Sequence, residues 1–231
     1  SLQDPAVLSE LNEFIETKFT SPNEDAHHFI TLHLYQQLLR KHKNRNSLGW
    51  LLQFNLERIE WAYEQARFPD KDHHYENTLK KTSALYPSSP AIASYWYALA
   101  ANEKRKGDTY QPFSDTTNRY ALVRAKKIIT DVQSSFDTSL PAVQKMRTLL
   151  SEITAPNWSI KTEYVNLINK KIRARVSYKN MDTLYIRIVK ARSDDQQAET
   201  WKNEFWEKTV SVTPFKTIAQ ILPKTTDHQY H

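Results

Sequence analysis

Two adjacent histidine pairs, His27-His28 and His73-His74, are the first side chains to weigh for chemistry, because imidazole ligates metals and moves protons near neutral pH. A metal pair on a helix needs a spacing of i and i+4 so that both rings share a face, whereas adjacent residues point about 100° apart. His33, five residues after His28, does not repair the spacing, so no metal ligation is expected. Glu57 with Glu60, and Asp194 with Asp195, have the residue types for general acid and base work. Such pairs must converge in space, and charges along a helix face are ordinarily solvated. Ser88-Ser89 and Ser134-Ser135 fall at helix junctions, where capping is the expected role rather than nucleophilic attack. Cysteine is absent, which removes disulfides, thiol nucleophiles and zinc-thiolate sites together. The only glycines are Gly49 and Gly107, too far apart for a glycine-rich phosphate loop. No catalytic, cofactor-binding or metal residue is assigned, no cofactor is expected, and the chain is not expected to be an enzyme.

The remaining chemistry is that of surfaces. Net charge is +6 and the isoelectric point is near 9.3. The densest basic run is Lys170, Lys171, Arg173, Arg175 and Lys179, joined by Arg187, Lys190 and Arg192. On alternating strands these would form the solvated face of a half-buried sheet. Aromatic interleaving is limited to Tyr178 and Tyr185 and no ribonucleoprotein-type motif appears, so nucleic acid is not an expected partner. Trp50, Trp61, Tyr95, Trp96 and Tyr97 stand at helical spacing, which favours a core role. Their alternative is a ligand groove, since concave faces of helical stacks bind peptides.

The 231 residues suffice for one large domain or two small ones. No apolar run of about 18 residues exists to span a membrane, and Ser1-Leu2-Gln3-Asp4-Pro5 reads as a mature or trimmed start. Up to about Ile153 the apolar period is helical. Asp4-Pro5 caps a helix whose Leu8, Leu11, Phe14 and Ile15 share a face. A second helix, from Ser21-Pro22-Asn23, presents Phe29, Ile30, Leu34 and Leu38. A third carries Trp50, Phe54 and Trp61 beside Leu51, Leu52, Ile59 and Ala62, two stripes that predict contacts on both sides. A fourth is expected from Asp72 to Leu85. A fifth holds Ile92, Trp96, Leu99 and Ala100 and ends near Gly107, with Asp108 to Ser114 as a loop. A sixth carries Tyr120, Val123, Ile128 and Val132, and a seventh Val143, Met146, Leu149, Leu150 and Ile153. Tyr86-Pro87-Ser88-Ser89-Pro90-Ala91 and Phe136-Asp137-Thr138-Ser139-Leu140-Pro141-Ala142 place an aromatic, then polar residues, then Pro-Ala at a helix start. This resembles the inter-repeat turn of tetratricopeptide arrays, though the period is irregular and longer than the usual ~34 residues.

Past Pro156 the period changes from 3.6 to 2. Ile160, Thr162 and Tyr164 alternate with Lys161 and Glu163, and Ile172, Ala174, Val176 and Tyr178 alternate with basic residues. A turn at Asn180-Met181-Asp182 leads to Leu184, Ile186 and Ile188 facing inward, with Tyr185 and Arg187 facing the other way. Residues 193–208 are expected to form a helical insert and 209–222 a return to strand, interrupted by Pro214. The fold class expected is α+β: a tetratricopeptide-like antiparallel helix stack over 1–155, then a partial antiparallel β-sandwich over 156–231.

Tyr178-Lys179-Asn180, Leu184-Tyr185-Ile186-Arg187-Ile188-Val189-Lys190, Trp206, Leu222-Pro223 and Asp227-His228-Gln229-Tyr230-His231 together resemble a phrase of bacterial alpha-2-macroglobulin-like proteins. In that family a Tyr-Arg-Asn turn precedes a Leu-Tyr-x-Arg-Ile-Val-Lys strand, followed later by a tryptophan, Leu-Pro and Asp-Tyr-Gln-x-His. Lys179 stands where arginine is usual and His228 where tyrosine is usual. The helical stretch, with Pro69-Asp70-Lys71-Asp72 and Tyr86-Pro87-Ser88-Ser89-Pro90, is similar to the helical region before the macroglobulin domains. The resemblance implies a non-catalytic module of a large exported protein, periplasmic or attached to the outer membrane, contributing to protease trapping or envelope protection. Its implied partners are the rest of the same polypeptide, proteases and envelope proteins. The family's thioester needs a cysteine, so this stretch cannot carry it. The macroglobulin-type sandwich implied is larger than residues 156–231, and an unfinished sheet leaves an open edge through which two copies could pair.

Overall fold

The computed structural model describes residues 2–21, 26–43, 47–112, 114–163, 173–188 and 216–231, with only the backbone at Arg187, Ile188, Lys216 and Thr217. The fold is α+β, helix-rich, with two small antiparallel sheets. The chain divides into two compact units, Ser1–Thr154 and Ala155–His231. The predicted insert at 193–208, Asp194, Asp195, Lys170, Lys171, Lys190 and Arg192 lie outside the described residues.

The first unit holds a 3-10 turn, Pro5–Leu8, and seven α-helices among the described residues: α1 Leu11–Glu16, α2 His27–Lys43, α3 Leu48–Gln65, α4 Lys71–Leu85, α5 Ile92–Asp108, α6 Ala121–Ser135 and α7 Pro141–Thr154. Helices adjacent in sequence pack on one another, and α5 also meets α7. One core lies among the N-terminal turn and α1 to α5, with Phe14, Leu52, Ile59, Leu79, Ile92 and Tyr95 at its centre. A second joins α5 to α6 and α7 through Ala93, Ala100, Ala125, Ile129, Val143 and Met146.

Three sequence expectations are corrected here. Leu8 and Leu11 do not share one helix, because the chain opens at Ser9, which is extended at φ −71° and ψ 170°. The cause is a set of side chains from later helices. Arg58 donates to the carbonyls of Val7 (2.9 Å) and Ser9 (3.0 Å), and the Thr78 hydroxyl donates to that of Leu8. Carbonyls that would have extended a helix are instead bound by α3 and α4. On α2 the buried face is Leu32, Gln36 and Leu39, while Ile30, Leu34 and Leu38 are exposed. Helix α1 ends at Glu16 with free carbonyls, and Gln36 Nε2 donates to Phe14 O and Thr17 O, each at 2.8 Å, while Arg40 donates to Ile15 O. Satisfying those buried acceptors turns a mixed polar face inward against the apolar preference. Tyr120 is exposed just before α6, whose buried residues are Ala121, Leu122, Ala125, Ile129 and Val132.

Gly107, near the end of α5, marks the closest approach to α6. A Cβ there would lie 2.7 Å from both Cγ and Cδ2 of Leu122 and 3.3 Å from its backbone nitrogen. Leu122 is itself buried and cannot swing away freely. Gly107→Ala is therefore expected to destabilise by about 1–3 kcal/mol, in spite of alanine's better helix propensity. Thermal melts would check this, and an unchanged or higher melting temperature would show that Leu122 gives way without cost.

In the second unit, β1 Asn157–Thr162 pairs antiparallel with β2 Ala174–Lys179, and β3 Thr183–Ile188 with β4 Lys216–Ile221. The registers place Trp158 opposite Tyr178, Ile160 opposite Val176 and Ile186 opposite Ile218. Asn180, at φ 55°, turns the chain from β2 to β3. Asparagine tolerates that left-handed conformation better than most side chains. The core is small: Tyr178, Leu184 and Leu222, flanked by Val176, Met181 and Ile186. Leu184 is buried and Ile186 half-buried on one face, and Tyr185 is exposed on the other. Trp158 and Ile160 of β1 are exposed, so the apolar period of that strand faces solvent within the described residues.

Candidate functional site

Helix α3 buries the stripe of Leu51, Leu52, Ile59 and Ala62 and leaves Gln53, Glu57, Glu60 and Glu64 on its polar side, at spacings that keep them along one face. Where α3 runs beside α5 and the start of α7, two adjoining clefts of about 470 Å³ and 380 Å³ open. Glu60 and Tyr97 line both, so the two clefts adjoin at these side chains. The first continues over Leu56, Ser94, Ala142 and Lys145. The second continues over Tyr63, Glu64, Tyr75, Ala98, Ala101 and Arg105. The groove exists because Ser94, Ala98 and Ala101 put small side chains on the face of α5 that meets α3.

Its electrostatics are uneven along the length. At one end Arg105 is already answered: Nη2 lies 3.4 Å from Asp72 Oδ1 and donates to Asn102 Oδ1 at 2.6 Å. The Tyr63 ring is covered by Arg105 and by Lys71 Nζ, each 4.9 Å from its centroid, and its hydroxyl bonds Asp72. Tyr75 stacks on Tyr63 at 4.3 Å, and burial pushes its hydroxyl far above the usual phenol range, so it stays neutral. In the middle, Glu60 stays open to solvent as a residue. Protein atoms crowding its carboxyl raise its pKa, the neighbouring charges of Glu64 and Glu57 raise it further, and Lys145 opposes them. Lys145 Nζ stands 5.7 Å from the Tyr97 ring centroid.

Of the five aromatic residues considered from sequence, only Tyr97 lines this groove. Tyr95 is buried and donates to Leu52 O at 2.7 Å, while Asn55 Nδ2 donates to its hydroxyl at 3.1 Å. Trp96 is half-buried against the core, Trp61 packs on Tyr35 at 5.7 Å, and Trp50 is exposed and stacks on Phe54. Glu57 and Glu60 share a face but do not form an isolated acid pair. Glu57 accepts from Gln53 Nε2 at 3.0 Å, and Glu60 points into the groove. Tyr63, Tyr75, Glu64 and Lys145 were missed by sequence reasoning. The available signal was the row Glu57, Glu60, Glu64 opposite the small residues of α5.

The histidine pairs do not converge. His73 meets Asn77, His74 stands edge-on to Phe68 at 5.5 Å, and His28 approaches Trp61 at 6.2 Å. Among the described residues no group of three His, Asp or Glu is placed to hold a metal, and no helix is long and apolar enough to cross a membrane. Ser134 and Ser135 donate back to Asp131 O, so they secure the last turn of α6 rather than start a helix. Arg173 and Arg175 are exposed, as expected of a solvated face, and Lys179 Nζ lies 5.4 Å from the ring centroid of Tyr230.

In the second unit the separated pieces of the sequence phrase come together. The Tyr178 hydroxyl donates to Pro223 O at 3.0 Å, and the backbones of Tyr178 and His231 exchange bonds of 3.1 and 2.9 Å. Asp227, buried, accepts from Gln229 N at 3.2 Å and lies 2.9 Å from His231 Nε2. His228 Nδ1 lies 2.6 Å from Asn180 Oδ1, and Asn180 Nδ2 donates to Ala155 O at 2.9 Å. Among the described residues these bonds tie the turn after β2 to residues 223–231. Comparison with protein-family models, with curated proteins and with solved structures finds no match to this chain.

Proposed function

We propose that the chain is a non-catalytic module of a larger exported alpha-2-macroglobulin-like protein, periplasmic or attached to the outer membrane, which contributes to protease trapping or envelope protection. The supporting observation is that Tyr178 and Asn180 are hydrogen-bonded to Pro223, His228 and His231, far along the chain, while Leu184 and Leu222 pack with Tyr178. In this reading the two ribbons belong to an antiparallel sandwich of which they are one part, and the exposed Trp158, Ile160, Tyr185 and Ile221 are faces that further strands cover. Reading the gene beyond His231 tests the proposal. More than a thousand further codons with repeated β-domains are expected, and a stop codon close behind His231 would sink it. At the protein level, the chain lengthened by that coding sequence should melt higher in its β unit and lose any dimer formed through an open strand edge. A short chain that is monomeric in light scattering and melts no lower than the long one would count against the assignment.

The groove favours a second reading, in which the helices form a tetratricopeptide-like scaffold that binds a protein or peptide. Helical stacks use their concave faces in this way.

A further inference from the structure

We propose that the groove between α3, α5 and α7 binds a segment of protein chain that presents a lysine or arginine, its charge between Glu60 and Glu64 and its stem along Tyr97. The proposal rests on the second reading and names the chemistry of its ligand. Three observations carry it. Glu60 and Tyr97 line both clefts, and Glu64 stands beside them in the second. Small residues, Ser94, Ala98 and Ala101, form its α5 wall, so an extended segment has room. Around Glu60 the charges of Glu64 and Glu57 outweigh the opposing charge of Lys145. Arg105 is paired with Asp72, whereas among the described residues no ion pair or hydrogen bond engages the carboxylates of Glu60 and Glu64. Glu57 adds a third carboxylate on the same face.

Lys145 reveals what the ring of Tyr97 accepts. Its ammonium stands 5.7 Å from the ring centroid, within cation–π range, although the lysine is exposed and belongs to another helix. A ligand cation would take over that position and gain Glu60 and Glu64 as well. Amphipathic lysine and arginine stems lie readily along such apolar walls. Burial, and after it the charges of Glu64 and Glu57, raise the pKa of Glu60, and a cation placed among these carboxylates relieves their repulsion. The protein as a whole carries +6, so its general field repels a cationic ligand. Binding of one would have to be local.

The test uses the full chain and a short fluorescein-labelled peptide of alternating alanine and lysine, followed by fluorescence anisotropy at low salt, with alanine–glutamine and alanine–glutamate versions as controls. The lysine peptide is expected to bind and the glutamate peptide not to bind. Glu60→Gln and Glu64→Gln should each weaken binding about tenfold. Lys145→Gln, which removes the competing cation, should tighten it. Ser94→Leu, which fills the groove without touching a charge, should abolish it. Far-ultraviolet circular dichroism would confirm that each variant is folded. Lysine-peptide binding that ignores both glutamine variants, or that weakens in Lys145→Gln, would overturn the proposal. Preference for the glutamine or glutamate peptide, still blocked by Ser94→Leu, would overturn the cation specificity and leave the peptide scaffold standing. Absence of binding by all three peptides would remove both.

Discussion

Arg58→Ala is expected to destabilise the helical unit by about 3–5 kcal/mol, the sum of buried acceptors left without a donor and a void beside Phe14. Arg58 has no solvent-exposed surface. It donates to Val7 O at 2.9 Å, Ser9 O at 3.0 Å and Asn55 Oδ1 at 2.6 Å, and its guanidinium carbon stands 4.2 Å from the centre of the Phe14 ring. Burial lowers its pKa to about 9, with Tyr95 and Tyr35 opposing, so it is still charged at neutral pH. The charge is held by acceptors rather than by a carboxylate. Truncation to alanine leaves three buried acceptors without a donor and a void under Phe14. Arg58→Lys keeps the charge but cannot make the same fork of bonds, and should fall between alanine and wild type. Urea unfolding followed by far-ultraviolet circular dichroism would measure both. A loss below about 1 kcal/mol for the alanine variant would mean that water replaces the guanidinium without penalty.

The second large effect belongs to the β unit. Leu184→Ala should cost about 2–4 kcal/mol, because Leu184 is one of three residues forming a small core with Tyr178 and Leu222. Tyr185→Ala, one residue along, should cost less than about 0.5 kcal/mol, since Tyr185 is 72% exposed. A pair of neighbouring substitutions with opposite outcomes tests the strand period directly. Hydrogen exchange at the β3 amides would separate them, with Leu184→Ala lowering protection and Tyr185→Ala leaving it close to wild type. Equal losses would mean that both faces of β3 are covered in solution.

What the sequence disclosed depended on whether apolar pattern or polar satisfaction decided the outcome. The stripe of α3 through Leu51, Leu52, Ile59 and Ala62 was legible because these residues are apolar and buried, whereas in the other stripe Phe54 and Trp61 are half-buried and Trp50 is exposed. The alternation of β3 was legible for the same reason at Leu184 and Tyr185. Helix α2 was misread because its inward face is chosen by Gln36 and Arg40, whose value lies in the carbonyls of Phe14, Ile15 and Thr17, twenty or so residues away. Periodicity counts apolar residues and cannot register an acceptor that needs a donor. The break at Ser9 was missed on the same grounds. For the groove, sequence pointed to Glu60 and Tyr97 separately, one as an acid and the other as an aromatic. It could not bring them together, because what joins them is the smallness of Ser94, Ala98 and Ala101 on a neighbouring helix.

The clasp on the N-terminal turn also has a bearing on the order of events during synthesis. The carbonyls of Val7 and Leu8 are held by residues 51 and 70 positions later in the chain. A ribosome adds residues at about 5–20 per second, N-terminus first. Residues 5–16 must therefore wait several seconds after they are made, until α3 and then α4 have followed, before these partners exist. Until then Val7, Leu8, Phe14 and Ile15, all buried in the finished unit, travel uncovered. Residues 7–15 are thus made well ahead of the side chains that hold them in place.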